Sequence, residues 1–194
     1  MSLFNQTNIT NFVLDIPDGG LTEAFVLNVQ SFHIPGVRIP VTDTVTGPKG
    51  QGRSLIPGST FEHDPIEIRF LVDENLESWL QMYKWMLSLN NYVTQNSEAW
   101  QPNGQPEGIV LHILDNSKTK IVLSFHFYGA WPTDLSSIEY SFSEEGDPAM
   151  ICTCQMNFKY FEVVKDGKVI AHKPTIKAAN EERLQSFNMH PSMR

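Results

Sequence analysis

The residue types able to do chemistry are scattered along this 194-residue chain and do not gather into a reactive set. Gly47-Pro48-Lys49-Gly50-Gln51-Gly52-Arg53 has the glycines and lysine of a phosphate cradle. Such a cradle needs its lysine followed by Ser or Thr at a helix N-terminus, where unpaired N–H groups face the phosphate. Here Pro57 and Gly58 follow, so the segment reads as a glycine-rich arm. A hydrolytic centre would require His63, His112 or His126 beside a Ser or Cys nucleophile and an orienting carboxylate, and no Gly-x-Ser-x-Gly elbow is present. His112 sits between apolar neighbours and His126 on a polar strand face, the positions of packed and surface histidines. The carboxylates Asp73, Glu74 and Glu77 crowd a helix start, and Glu144, Glu145 and Asp147 flank a Gly-Pro turn. Both groupings are accounted for by helix electrostatics and turn solvation. Cys152 and Cys154 lie two apart in a strand, where extended backbone suits a disulfide poorly. They read as two buried free thiols of a protein made in a reducing compartment, and a lone C-x-C is no metal set. The expectation is a protein that is not an enzyme and uses no metal or cofactor.

What must position these residues is a chain long enough for one domain with a sizeable core. Its 41% hydrophobic and 19% charged content is that of a globular protein. The net charge of −8 argues against a basic nucleic-acid-binding surface, but not against a surface past which nucleic acid slides. The polar stretch Met1 to Asn11 lacks a signal-peptide profile, and no apolar run reaches membrane-spanning length. The expectation is a soluble protein, cytoplasmic when made, without a membrane partner.

Period-2 alternation predicts strands over 11–16, 24–32 and about 37–41, then Pro65–Val72 with Ile66, Ile68, Phe70 and Val72 inward. In the second, Phe25, Leu27 and Val29 share a face. Residues 43–60 break all periodicity and read as a long functional arm. Asp73–Leu89 changes period: Leu76, Trp79, Leu80, Tyr83, Met86 and Leu87 recur at helical spacing, with Met82 and Trp85 beside that stripe. Residues 109–114 and 120–128 predict a hairpin turned at Asp115-Asn116-Ser117-Lys118, with Ile121, Leu123, Phe125 and Phe127 inward. Alternation recurs at Ile138, Tyr140 and Phe142, and at Cys152, Met156, Phe158 and Tyr160. The fold class is therefore mainly β: an antiparallel β-sandwich or small barrel with one flanking α-helix. Domain boundaries are 1–163 for the β domain, with arm 43–60 and helix 73–89, and 164–194 for a C-terminal extension. That extension carries six basic and three acidic side chains on an otherwise acidic body, and 176–187 suggests a short helix in it.

The order Ile34-Pro35-Gly36, glycine-rich arm, Pro65–Val72 strand, Asp73–Leu89 helix, Gly129-Ala130-Trp131-Pro132-Thr133 and long aromatic-rich final strand resembles the tail-tube family of contractile-tailed bacteriophages. The resemblance covers roughly residues 11–163. It implies homohexameric rings that stack into a hollow tube, the conduit for genome ejection, with tail sheath, baseplate or neck proteins as partners. It implies a virion location, host cytoplasm during assembly, and transient passage of viral DNA. Neighbouring edge strands would join into an inner barrel. The arm residues Lys49, Gly50, Gly52 and Arg53 would meet the adjacent ring. Glu139, Ser141, Thr153, Gln155 and Asn157 are the lumen-facing candidates, and the acidic body suits a bore that repels phosphates.

A repeating tube subunit is the leading expectation. The extra material at 1–10, 90–106 and 164–194 leaves a specialised ring, initiating the tube at the baseplate or completing it at the head-proximal end, as the alternative. A soluble ligand-binding β-sandwich is the competing class.

Overall fold

The structure is a computed structural model that describes residues 6–17, 22–46, 50, 52–97, 108–142, 146 and 148–171. Its sheets are antiparallel throughout, as the alternation requires, and they fall into two units. The first unit is a five-stranded sheet built on β1 (Phe12–Asp15), β10 (Ile109–Leu114), β11 (Ile121–Tyr128), β14 (Tyr160–Lys165) and β15 (Lys168–Ala171), paired in that order. Register puts Leu14, Leu111, Phe125 and Val163 on one face. On that face Ile109, Leu111 and Phe127 are buried, with the Phe161 ring 5.6 Å from Phe127. Ile121, expected inward, is exposed at the strand start. The opposite face is mixed, with Val13, Val110 and Val164 among polar groups: His112 and Ser124 share a 2.8 Å hydrogen bond, and the Tyr128 hydroxyl donates to Glu162 at 3.2 Å.

The β10–β11 turn falls at the expected Asp115-Asn116-Ser117-Lys118. Asp115 accepts from the Ser117 hydroxyl at 2.6 Å and from the Thr119 N–H at 2.8 Å, and these bonds hold its carboxyl at about 2. The 163/164 boundary falls inside β14, which turns at Asp166-Gly167 and returns as β15. The helix expected at 176–187 lies outside the described residues.

The second unit holds the four-stranded sheet ordered β12 (Trp131–Leu135), β13 (Ile151–Asn157), β7 (Ile66–Leu71), β2 (Val29–His33). It also holds helices α1 (Glu23–Leu27) and α2 (Glu77–Leu89) and three two-stranded pieces. These are β3 (Val37–Arg38) with β6 (Glu62–His63), β4 (Val41–Thr46) with β5 (Gly52–Pro57), and β8 (Asn90–Asn91) with β9 (Asn96–Ser97). The core face is the one that alternation predicts, with Ile66, Ile68 and Phe70 opposite Met156, Cys154 and Cys152, all fully buried. Both cysteines are free and buried, and burial raises both thiol pKa values.

Three expectations are corrected here. Residues 23–27 form a helix where a strand was expected. Gln81 Oε1 accepts from the N–H groups of Ala24 at 2.9 Å and Phe25 at 3.4 Å, capping α1 from outside, and Phe25 is buried 4.9 Å from Phe70 while Leu27 is exposed. Helix α2 buries Ser78, Met82, Trp85 and Leu89, so its buried stripe is rotated from the predicted one, leaving Trp79, Leu80, Tyr83, Met86 and Leu87 half-buried. Asp73 closes its N-terminus, accepting from the N–H of Ser78 at 2.8 Å and of Glu77 at 2.9 Å. Residues 136–142 are not a strand. Ser136 makes the last backbone bond to Thr153, 2.8 Å, and beyond it Tyr140 and Phe142 stand exposed.

Candidate assembly surfaces

The arm is not an irregular loop. Val41–Thr46 and Gly52–Pro57 pair as a regular hairpin, Val41 opposite Pro57 through Thr46 opposite Gly52. Period-2 order was hidden because threonine and valine alternate on β4 and the turn is glycine-rich. Gly50 has φ +65°, a left-handed conformation that suits glycine. Gly52 lies where an added Cβ would meet the Thr46 carbonyl at 2.9 Å. Lys49 lies outside the described residues. Arg53 donates to Asp43 across the hairpin at 3.0 Å, so its charge is answered within the chain. Val41, Val45, Asp43, Arg53, Leu55 and Pro57 share one face of the hairpin, and Thr42, Thr44, Thr46, Ser54 and Ile56 share the other. On the first face Val41, Val45 and Leu55 are 64%, 69% and 72% exposed. An isolated two-stranded hairpin is marginal in water, and here its apolar residues stand uncovered by the other described residues. These apolar residues lie outside the expected arm contacts, Lys49, Gly50, Gly52 and Arg53, although Val41-x-Asp43-x-Val45 is itself an alternating pattern.

Ile34-Pro35-Gly36 leads into this hairpin. Pro35 is buried, and the Asp64 N–H donates to the Gly36 carbonyl at 2.9 Å. A Cβ on Gly36 would run into the Asp64 carboxylate.

Of the five lumen candidates, the structure brings three together. Thr153, Gln155 and Asn157 alternate with buried Cys152, Cys154 and Met156 on β13, and so share the polar face of the four-stranded sheet. Register sets Thr153 beside Arg69 and Ser31, and Gln155 beside Glu67 and His33. His33 lies 3.9 Å from Glu67. Glu139 and Ser141 sit beyond β12 in the segment without a strand, and so do not join this face. Asp134 on β12 lies beside Gln155, so this face carries Glu67, Asp134, Arg69 and His33 among neutral polar residues.

Gly129-Ala130-Trp131-Pro132-Thr133 opens β12, the edge of that sheet. Pro132 has no N–H to offer a further strand, and Thr133 bulges, its hydroxyl donating to the Gln155 carbonyl at 3.1 Å. Among the described residues no three His, Cys, Asp or Glu side chains converge as a metal site. No helix of the described residues is long and apolar enough to cross a membrane.

The family model described as T4-like virus tail tube protein gp19 matches residues 9–162. The chain belongs to that family. The tail tube terminator protein of Enterobacteria phage T4 is 57% identical over 169 residues, 87% of this chain and 95% of that protein. Among solved structures, the tube-terminating cap of the anti-feeding prophage superposes with a TM-score of 0.59 at 14% identity, covering 85% of this chain and 95% of that one. The sheath/tube terminator of an extracellular contractile injection system, PVC, in its extended state gives 0.60 at 12% identity, covering 84% and 99%. These last two are likenesses of fold. The protein is thus a tail-tube-family component of a phage tail, with the mainly antiparallel β fold that its sequence implied.

Proposed function

We propose that this protein is the terminating ring of a contractile tail tube: a homohexamer that closes the tube, touches tube and sheath components, and leaves a bore through which viral DNA passes. The observation that carries this reading is the extent of likeness to the T4 tail tube terminator, 57% identity over almost all of both chains. It favours the completing ring over the repeating tube subunit, which had been the leading expectation from sequence. A second observation supports the same choice. The family match stops at residue 162, whereas the described chain continues into β15, Lys168–Ala171, which occupies part of the β14 edge. The role is structural and non-catalytic, in the virion after assembly in the host cytoplasm.

In this reading the apolar face of the β4–β5 hairpin seats on the adjacent ring, with Gly50 and Gly52 shaping its tip. Arg53 holds the hairpin through Asp43 and does not itself reach across. Thr153, Gln155 and Asn157 look into the bore. Residues 164–194 act as an added terminal element.

Electron microscopy of the purified protein, alone and mixed with sheathless tail tubes, tests the reading. Isolated six-fold rings that do not polymerise, but cap one end of each tube, are expected. Long tubes from the protein alone would return it to a repeating subunit. A monomer that ignores tube ends would overturn the tail-tube reading of its role.

A further inference from the structure

The described residues include three arginines, and two are ion-paired: Arg38 with Glu62 at 2.8 Å and Arg53 with Asp43 at 3.0 Å. Arg69 is exposed and has no ion-paired or hydrogen-bonded side-chain partner among the described residues. It stands on β7, an inner strand of the four-stranded sheet, and points to the polar face. Ser31 on β2 and Thr153 on β13 are its direct neighbours in register. Cross-strand neighbours have Cβ atoms about 5 Å apart, so the guanidinium has a hydroxyl on each flank. The nearest carboxylate on this face, Glu67, is one pair along and faces His33 at 3.9 Å. Gln155, opposite Glu67 on β13, is uncharged, and the other carboxylate of the face, Asp134, lies two strands from Arg69, on β12 beside Gln155.

A planar fork of N–H donors between two hydroxyl donors, with no carboxylate opposite, matches the several oxygens of a phosphate better than the two of a carboxylate. Hydroxyls and arginines are among the side chains that hold DNA by its backbone without reading sequence. We propose that Arg69, flanked by Ser31 and Thr153, is a phosphodiester contact for DNA on the polar face of the four-stranded sheet. This rests on the reading of that face as bore-lining. In a six-fold ring the contact repeats six times at one height, making a narrow cationic girdle within an otherwise acidic protein. Such a girdle would retain a DNA end at the closed tube while leaving most of the passage non-adhesive.

The test uses the assembled full-length ring and a fluorescent DNA duplex of random sequence, with anisotropy followed across a salt series. The wild-type ring is expected to bind with a salt-dependent affinity. Arg69→Gln should weaken binding and flatten the log–log salt slope by about 0.9 for each phosphate no longer neutralised. Arg69→Lys should recover most of the slope, and Arg38→Gln should leave it unchanged. Intact rings in micrographs confirm that each variant folds. A ring that does not bind duplex, or an Arg69→Gln slope equal to wild type, overturns the proposal. A gold-labelled Gln155→Cys ring separates the two levels. Label in the bore with no effect of Arg69→Gln sinks the phosphate contact alone, and label on the outside sinks the bore assignment on which it rests.

Discussion

In the proposed assembly, replacing Leu55 with lysine should disconnect the ring from its neighbour without unfolding the subunit. Leu55, Val45 and Val41 are 72%, 69% and 64% exposed on one face of the hairpin. Full burial of such a side chain is worth about 1.5–3 kcal/mol, so withdrawing their exposed two-thirds on docking contributes about 1–2 kcal/mol each. Leu55→Lys removes one such increment and adds the cost of dehydrating an ammonium. At 1.4 kcal/mol per decade, that is about tenfold or more at each subunit's docking site, repeated around the ring. Lysine is chosen because Asp43 lies opposite Leu55 in register, so the new charge faces a carboxylate and the hairpin keeps its pairing. A change at an exposed position should move subunit stability by no more than about 0.5 kcal/mol. Urea titration of the subunit and co-sedimentation with tail tubes read the two quantities separately. Wild-type capping by the variant would refute the docking role of this face. A fall in urea stability as large as that of a core substitution would refute its exposure.

Removing the Asp73 carboxylate with Asp73→Ala should cost about 1–2 kcal/mol, because α2 loses the acceptor for the Glu77 and Ser78 N–H groups. Hydrogen bonds from Ser78 and Glu77 lower the Asp73 pKa from 3.8 to about 2. Its contribution is therefore complete above the unfolded pKa and lost as pH falls from about 4 toward 2, so urea midpoints in that window should drop less for the variant than for wild type. Cys152 and Cys154 should resist a water-soluble thiol reagent at pH 8 in the folded protein and react fully in guanidinium, since burial both raises their pKa values and blocks access. Gly129 has φ +60°. Gly129→Ala should destabilise by about 1 kcal/mol in chemical denaturation, mainly through backbone strain, because the crowding atom is the flexible Lys159 side chain, whose Cδ lies 2.9 Å from the added Cβ.

Much of the architecture was legible in one dimension because it depends on a single face being withdrawn from water. Ile66-x-Ile68-x-Phe70 and Cys152-x-Cys154-x-Met156 can satisfy their alternation only as half-buried strands, and both are fully buried on one side. The Asp115 turn was legible because a short run of turn-forming residues separates two such strands. The family was legible from the order of these elements and from Gly129-Ala130-Trp131-Pro132-Thr133.

Other features depend on partners distant in sequence. Residues 23–27 turn helical because Gln81, more than fifty positions away, caps them and Phe70 receives Phe25. The face of α2 that is buried was decided by what packs on it, since apolar residues nearly encircle the helix and periodicity alone offers two stripes. Ile138, Tyr140 and Phe142 alternate as a strand would, but beyond Ser136 they gain no strand partner among the described residues, and Glu139 and Ser141 lie off the polar face of the four-stranded sheet with them. In the same way the arm's ordering as a hairpin, and the isolation of Arg69 between two hydroxyls, come from register across strands. Sequence determined which residues must leave water and which must turn. The tertiary structure decided which of them face one another, because pairing is a property of two segments and is written in neither alone.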